Sequence, residues 1–281
     1  MELLRPAVLE DGDFERLGKF IMSQYGIKMP PFKKTFLQSR LQKRLRALGL
    51  NDFKEYTNFV FSSRGRTVEL QNMIDAVSTN KTDFFREPVH FDFLFSQGLD
   101  EYLAQTGKRN ISVWSAGCSS GEEPYSIAML LKEYSEMHHR IDFRILATDI
   151  SNGVLQHAAV GIYTDDKIKL IPSGYHAKYL QKGKGPYEHK VRIASDLRSK
   201  VNFQSFNLLG KEYDGMGQFD IIFCRNVLIY FEKEVQYRIL KQLSQHINSR
   251  GYLFLGHSES ITGLDLPLLH IKPTIFIKNG Y

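Results

Sequence analysis

The sequence predicts an α/β protein in which an all-helical N-terminal segment precedes a doubly wound sheet of parallel strands. Two observations lead to this fold class. Residues 11–78 show helical periodicity alone, and after Asn80 short apolar strands alternate with amphipathic helices. Because parallel strands are joined by helical crossovers, this alternation indicates a sheet whose ligand lies at the carboxyl ends of its strands.

The N-terminal segment is predicted to form helices and no strand. Leu37, Leu41, Leu45 and Leu48 follow one another at helical spacing, so they mark the face of the second helix that packs inward. Asp52 suits the N-cap position of the third helix. The predicted helices span Phe14–Tyr25, Phe32–Leu48, Asp52–Ser62 and Thr67–Val77.

The remaining chain alternates between strand and helix patterns, with one interruption. The turn-rich stretch Lys167–Ile193 contains KGKGPYEH between short apolar pieces, which predicts a small β insertion. We therefore expect a helical domain over residues 1–78 and an α/β domain over 79–281, with a β-subdomain inserted at about 167–195. The predicted strands are Ile111–Ser115, Phe143–Thr148, Val201–Gln204, Phe219–Cys224 and Tyr252–Leu255, and the predicted helices between and after them are Glu123–Met137, Val154–Val160 and Lys233–Ile247.

Composition narrows the class of protein. A chain of 281 residues with 42% hydrophobic and 24% charged residues is typical of a soluble globular protein. Its two cysteines, Cys118 and Cys224, end apolar runs and are too few for a disulfide framework, so a reducing compartment is expected. No apolar stretch has the length of a membrane span, and the first residues lack the pattern of a secretory leader. These features predict a cytoplasmic protein.

The net charge of +6 is concentrated near the N-terminus. No carboxylate occurs between Glu15 and Asp52, whereas basic residues are frequent there. Arg40 and Arg44 lie along one flank of the leucine stripe, and Arg46 points away from it. This charge is either a solvated surface or a docking surface for an acidic partner, and the second interpretation is favoured.

The stretch Ile111–Leu131 is the most informative in the chain, because a strand leads through a loop of small residues directly into a helix. Gly117 and Gly121 allow the backbone to approach a ligand closely. The loop lacks both common phosphate-binding glycine motifs and places Glu122 and Glu123 where a phosphate would be repelled. It therefore predicts a pocket for a nucleoside without phosphates.

Polar residues elsewhere in the sequence are expected around the same pocket. Asp149 ends a strand at the position where an acidic residue binds ribose hydroxyls in nucleoside-binding folds, although it could instead cap the helix that begins near Ser151. Arg225 and Asn226 directly follow a predicted buried strand, and Tyr230 lies shortly after them, so all three are expected at the pocket. Tyr230 could instead be a half-buried core residue. The linker between the two domains contributes Asn80, Thr82 and Arg86, whose segment could alternatively be a capping box.

Together these segments resemble the chemotaxis receptor glutamate methyltransferases, the CheR family. The resemblance covers nearly the whole chain, and six motifs occur in the family's order. They are NKTDFFRE (Asn80–Glu87), VWSAGCSSGEEPYSIA (Val113–Ala128), ATDIS (Ala147–Ser151), FNLL (Phe206–Leu209), FDIIFCRNVLIYF (Phe219–Phe231) and GHSES (Gly256–Ser260).

The resemblance implies a Rossmann-like methyltransferase domain that uses S-adenosylmethionine, with a β-subdomain inserted in it and a helical domain before it. It implies that Arg86 and Tyr230 lie near the transferred methyl group. By the same resemblance Arg40, Arg44 and Arg46 dock the substrate, the cytoplasmic domain of a methyl-accepting chemotaxis receptor. The implied cofactor contacts are Asn80, Thr82, Arg86, Gly117, Glu123, Asp149, Asn207, Leu208, Arg225 and Asn226.

The implied reaction agrees with the residues that the sequence lacks. A glutamate side chain with a pKa of about 4.3 is already a carboxylate at pH 7, so its methylation needs no general base. No nucleophile triad or metal-ligating cluster is expected. Two other functions stay open. The first is a nucleic-acid methyltransferase, but the sequence lacks an amine-polarising motif, and aromatic residues do not alternate with the basic ones. The second is a non-catalytic S-adenosylmethionine sensor.

Overall fold

The structure is a computed structural model that describes residues 7–138 and 141–280; the outermost residues of the predicted domains, 1–6 and 281, lie outside this range. Helices follow one another over the first part of the chain, as predicted. The single helix predicted over Thr67–Val77 is wrong, because the chain changes direction at Glu69. The helices of this part are α1 (Asp11–Tyr25), α2 (Lys34–Leu48), α3 (Phe53–Phe61), α4 (Ser63–Val68) and α5 (Leu70–Val77).

Local sequence explains how these helices begin and pack. The Asp52 side chain accepts a hydrogen bond from the Glu55 amide at 2.8 Å, which makes it the N-cap of α3 as predicted. Leu37, Leu41 and Leu45 are almost completely buried, so the leucine stripe of α2 is the packed face. The core that they enter is separate from those of the sheet.

The α/β part is built on a sheet of seven strands in the order β6-β2-β1-β7-β8-β10-β9. The strands β6, β2, β1, β7 and β8 are mutually parallel. The five predicted strands are these parallel ones, and the two further strands add one reversal: β10 runs antiparallel to both of its neighbours, β8 and β9. A two-residue turn joins β9 to β10, and only antiparallel strands can be joined so tightly. The strands are β1 (Asn110–Ala116), β2 (Asp142–Asp149), β6 (Val201–Ser205), β7 (Phe219–Cys224), β8 (Ile247–Leu255), β9 (Leu268–Lys272) and β10 (Ile275–Lys278).

Helices cover both faces of this sheet. Side chains alternate along β1, so that Val113 enters the core on one face and Trp114 the core on the other. The first face packs against the helices before and after β1, and the second packs against the helix between β7 and β8. Two of the covering helices, between residues 88 and 106, were not among the sequence predictions. The helices are α6 (Pro88–Phe93), α7 (Leu99–Thr106), α8 (Glu122–Met137), α9 (Asn152–Val160), α11 (Ser195–Arg198) and α12 (Lys233–Gln245).

A small antiparallel sheet interrupts the alternation between α9 and α11. Its order is β3-β5-β4, and it begins at Ile162, before the predicted start at Lys167. Glu133 of α8 accepts hydrogen bonds from Lys178 Nζ and Tyr179 Oη, both at 2.7 Å, which fixes this insertion to the main domain. Its elements are β3 (Ile162–Thr164), α10 (Ser173–Tyr179), β4 (Leu180–Lys182) and β5 (Lys190–Ile193).

No helix in the part of the chain that the structure describes combines the length and the apolarity that crossing a membrane requires.

Candidate functional site

The order of the strands reverses between β1 and β7, because the chain goes from β1 to β2 on one side and from β7 to β8 on the other. Such a reversal leaves a crevice at the carboxyl ends of a doubly wound sheet. A cavity of about 250 Å³ lies there. The structure brings every predicted cofactor contact, and Tyr230, to the wall of this one cavity: Asn80, Thr82, Arg86, Gly117, Glu123, Asp149, Asn207, Leu208, Arg225, Asn226 and Tyr230.

The loop after β1 forms one wall of the cavity. The Gly117 and Cys118 amides both donate to the Thr148 carbonyl, at 2.7 and 2.9 Å, which folds the loop over the end of β2. Gly117 has a φ of +85°, and a Cβ atom at this position would lie 2.3 Å from Val227 Cγ2. A side chain there would therefore collide with the loop after β7, which explains the glycine.

Asp149 lies at the last position of β2, and both of its carboxylate oxygens contact backbone amides. Oδ2 accepts from the Ser119 amide at 2.9 Å, and Oδ1 accepts from the Ser151 amide at 3.0 Å. Burial raises the pKa of Asp149, and these amides oppose the rise by stabilising the carboxylate. Each oxygen keeps a second lone pair, so the side chain can also accept hydrogen bonds from a ligand in the cavity.

The predicted alternative, that Asp149 or Ser151 merely caps the following helix, is wrong, because Asp149 binds the Ser151 amide, which precedes α9. The Ser151 side chain makes no capping hydrogen bond to α9. Asp75 of α5 accepts from the first amides of α9 instead, those of Asn152 at 2.9 Å and Gly153 at 3.0 Å. The N-terminal helices therefore supply the cap of a helix in the α/β part.

Arg225 is the centre of an ion-pair network at the end of β7. Its NH2 lies 3.1 Å from Glu87 Oε2 and its NH1 lies 3.4 Å from Glu123 Oε2. NH2 also donates to the Arg86 carbonyl. Among the described residues no group accepts a hydrogen bond from the buried Nε of Arg225. An orphaned donor in a cavity wall is suited to an acceptor on a ligand.

The carboxylates of this network have different proton affinities. Burial raises the pKa of Glu123, against the opposing effects of Arg225 and of the hydrogen bond from Ser115 Oγ at 2.7 Å. Burial also acts to raise the pKa of Glu87, but Arg225 and the Asn226 amide group outweigh it and lower the pKa. Of the two glutamates predicted to repel a phosphate, Glu123 lines the cavity, whereas Glu122 does not and lies 3.7 Å from Lys167 Nζ.

The linker between the domains, Asn80–Arg86, forms part of the cavity wall. Ser119 Oγ donates to the Asn80 carbonyl at 3.0 Å, and Lys167 Nζ donates to the Thr82 carbonyl at 3.0 Å. Arg86 NH1 donates to the Lys81 carbonyl at 2.9 Å. These hydrogen bonds attach the linker both to the glycine loop and to the small insertion.

Several non-glycine residues around the cavity have left-handed backbone conformations, which are energetically unfavourable for residues with a side chain. Such conformations concentrate at ligand sites, where surrounding contacts hold them. They occur in three of the segments that surround the cavity: Phe85 (φ 49°), Glu87 (φ 57°), Ser119 (φ 51°) and Asn226 (φ 59°).

The sequence did not predict that the N-terminal helices contribute to the cavity. Tyr25, Ile27, Lys33 and Phe36, from the connection between α1 and α2 and the start of α2, line it. Asn207 Nδ2 donates to the Gln24 carbonyl at 2.8 Å. The sequence carries no local signal for this wall, because it depends on how two domains pack.

The predicted docking arginines lie outside the cavity, and they differ from one another. Arg40 and Arg46 are exposed, and the guanidinium of Arg40 lies 5.1 Å from the Phe36 ring centre. Arg44 instead forms an ion pair with buried Glu69 at 2.7 Å. The guanidinium of Arg44 is therefore held by a carboxylate of the helical domain, unlike those of Arg40 and Arg46.

One group in the described part of the chain has the residue types of a metal site. Ligand atoms of Glu87, His90 and His257 lie within 4.8 Å of one another. Glu87 is already paired with Arg225, whose guanidinium would repel a bound cation. The group is therefore better described as part of the Arg225 network.

Comparison with known proteins agrees with this geometry. Residues 12–78 match the family described as CheR methyltransferase, all-alpha domain, and residues 80–277 match CheR methyltransferase, SAM binding domain. A chemotaxis protein methyltransferase of Borreliella burgdorferi is 40% identical over 272 residues, which are 95% of this chain and 94% of the relative. The chemotaxis protein methyltransferase of Escherichia coli is 38% identical over 266 residues, 94% of this chain and 90% of the relative.

These matches confirm the fold class, the methyltransferase activity and S-adenosylmethionine as the cofactor that the sequence predicted. They cover both the helices and the α/β part, so the similarity is not limited to the cofactor domain. The chain belongs to the CheR methyltransferase family.

Proposed function

We propose that this protein transfers the methyl group of S-adenosylmethionine to glutamate side chains of chemoreceptors, giving glutamate methyl esters and S-adenosylhomocysteine for chemotaxis adaptation. The observation that carries the proposal is the single cavity that collects all the cofactor-binding positions implied by the CheR resemblance. The names of the relatives, chemotaxis protein methyltransferases, support the receptor as the substrate.

The residues of the cavity fit this cofactor. The free Nε–H of Arg225 suits a carboxylate, and the Glu123 carboxylate suits an ammonium group. The lone pairs that remain on Asp149 suit the two hydroxyls of a ribose. We further propose Asn80, Thr82, Gly117, Asn207, Leu208 and Asn226 as contacts, because they line the same walls.

Methyl transfer to a carboxylate requires mainly that the protein align the acceptor with the methyl group. When bound, the cofactor supplies an electrophilic methyl group on a sulfonium. The acceptor glutamate is ionised at pH 7 and needs no base. Catalysis then consists of holding the acceptor oxygen in line with the methyl group and excluding water from the carboxylate. We propose that Arg86 and Tyr230, which line the cavity, position the reacting groups.

We also propose that the exposed arginines of α2, Arg40 and Arg46, dock the acidic cytoplasmic domain of the receptor. Opposite charge raises the rate of encounter and fixes register. Arg44 is left out of this set because it is paired with Glu69. The division into domains at residues 78 and 79 is part of the same proposal, and the two family matches, which end at 78 and begin at 80, support it.

The decisive experiment transfers a labelled methyl group from S-adenosylmethionine into membranes that contain a candidate receptor, followed by alkaline treatment. A carboxyl methyl ester releases volatile labelled methanol under these conditions. The control receptor carries aspartate or alanine in place of its methylatable glutamates, and should take up no label.

Three results would contradict the proposal in different ways. Base-stable label in the receptor would point to a nitrogen acceptor. Transfer of label to RNA or DNA would indicate a nucleic-acid methyltransferase. Cofactor binding without transfer to any acceptor would indicate a sensor.

A further inference from the structure

A buried glutamate that does not line the cavity holds the loop that forms one of its walls. Glu259 follows β8 and is 6% exposed. Its Oε2 accepts from the Gly256 amide at 2.6 Å and from the Asn226 amide at 3.0 Å, and its Oε1 accepts from the Leu228 amide at 2.7 Å. None of the ion pairs between described residues includes Glu259, so backbone amides take the place of a cation.

The bound loop is strained and carries functional groups. Asn226 has a φ of 59°, which is unfavourable for a residue with a side chain and must be stabilised by its surroundings. The amides on both sides of this conformation bind the same carboxylate. The loop also carries Arg225 and Tyr230 into the cavity wall.

The chain after β8 is shaped to reach this loop. A Cβ atom on Gly256 would lie 2.5 Å from Asn226 Nδ2 and 2.7 Å from its backbone N. Glycine at this position therefore allows the segment carrying Glu259 to approach closely. The Asn226 side chain does not bind this segment, because its Nδ2 donates to Glu87 Oε1 at 3.3 Å, so the Glu259 carboxylate supplies the hydrogen bonds to the loop after β7.

We propose that Glu259 is a positioning residue for the methyl transfer: its carboxylate fixes the left-handed turn at Asn226 and thereby the orientation of Arg225 and Tyr230 toward cofactor and acceptor. This inference rests on the proposed function for the identity of the ligand, but not on the identity of the methyl acceptor. It assigns a role to the GHSES motif, for which no chemistry was predicted.

The test compares Glu259→Gln with wild type by calorimetric titration with S-adenosylhomocysteine. The amide keeps one acceptor oxygen but directs an NH2 group at the loop amides, so we expect the affinity to fall by at least about tenfold. The matched control is Glu133→Gln, since Glu133 is equally buried, accepts two side-chain hydrogen bonds and does not line the cavity. It should lose stability without losing affinity.

Thermal unfolding of each variant separates positioning from simple destabilisation. The titrations are run well below the unfolding transition, where circular dichroism shows both variants fully folded. Glu259→Asp keeps the charge and should bind S-adenosylhomocysteine more tightly than Glu259→Gln. If Glu259→Gln does not fold, Glu259→Asp is compared with wild type instead, and its affinity should again be lower than that of wild type.

Wild-type affinity in a folded Glu259 variant, or an equal loss in Glu133→Gln, would overturn the inference alone. Failure of the wild-type protein to bind S-adenosylhomocysteine would overturn the proposed function together with it.

Discussion

Arg44 and Glu69 form a bidentate ion pair inside the helical domain, with Arg44 Nε 2.8 Å from Oε1 and NH2 2.7 Å from Oε2. The carboxylate is buried and also accepts a hydrogen bond from Tyr56 Oη at 3.0 Å. The contact joins α2 to the start of α5 and to α3. One arginine of the basic helix thus has a structural role that its neighbours Arg40 and Arg46 do not share.

Replacement of Arg44 by alanine should therefore destabilise the protein. The change leaves the Glu69 carboxylate buried with two neutral partners, Tyr56 Oη and Asn72 Nδ2. Loss of one member of a buried ion pair removes roughly 3 kcal/mol from the free energy of unfolding. Urea denaturation measures the change. Arg46→Ala, on the same helix but exposed, should stay within about 0.5 kcal/mol of wild type. Equal stability of the two variants would contradict the structural assignment of Arg44.

The sequence predicted the packed face of α2, but not the ion pair between Arg44 and Glu69. The leucine stripe predicted correctly which face of α2 is buried, because it depends only on helical periodicity. The role of Arg44 depends on Glu69, which lies between α4 and α5, and nothing in the sequence marks Glu69 as its partner. Helical periodicity predicts which face of a helix a residue lies on. It does not predict which charged side chain at the edge of that face forms an ion pair with a buried carboxylate.

The same limit applies to the cofactor cavity. The part of the cavity that lies at the ends of the strands was predictable. Gly117, Asp149 and Arg225 each follow a predicted apolar strand, and the carboxyl ends of parallel strands lie at one edge of the sheet. The wall from Tyr25 to Phe36 was not predictable, since it arises from packing between domains. The strand β9 was missed because exposed residues interrupt its apolar pattern, and β10 was missed because it has only four residues.

Removal of both exposed arginines, Arg40→Ala with Arg46→Ala, should weaken docking of the receptor. We expect a several-fold higher KM for receptor, a small change in kcat, and a weaker dependence of KM on salt, because fewer charges attract the acidic partner. The rate of labelled methyl transfer at two ionic strengths measures this. Affinity for S-adenosylhomocysteine should stay unchanged.

The matched control for this variant removes two exposed basic residues of α12, with Arg238→Ala and Lys241→Ala. The net charge falls by the same amount, so a nonspecific charge effect would raise KM equally in both proteins. That outcome, or a loss of cofactor affinity in the α2 variant, would remove α2 from the docking surface.

Asp149→Asn should abolish most of the cofactor affinity. The change replaces an acceptor oxygen with a donor and removes the charge, so a ribose would lose charge-assisted hydrogen bonds and the affinity should fall on the order of a hundredfold. Calorimetry with S-adenosylhomocysteine measures the change. Asp75→Asn is the control, because Asp75 also accepts two backbone amides but lies outside the cavity wall. Unchanged affinity in Asp149→Asn would exclude this aspartate from the site.

His90 should make the stability of the protein sensitive to mild acid. Its side chain is buried, and its Nε2 lies 2.9 Å from Thr274 Oγ1. Burial first, and then the positive charge of Arg225, lowers its pKa to about 4, against an opposing effect of Glu87. The unfolded chain has an ordinary histidine with a pKa near 6.5.

Between pH 6.5 and about 4 the unfolded chain binds a proton at His90 that the folded protein does not bind, so acid favours unfolding in this window. At pH 5 the loss of stability relative to pH 8 should be on the order of 2 kcal/mol. His90→Gln removes the titrating group, so the difference in unfolding free energy between wild type and variant should shrink by that amount from pH 8 to pH 5. Urea denaturation at both pH values measures it, with His189→Gln as a control at an exposed histidine. A difference that is independent of pH would show that His90 is charged equally in both states.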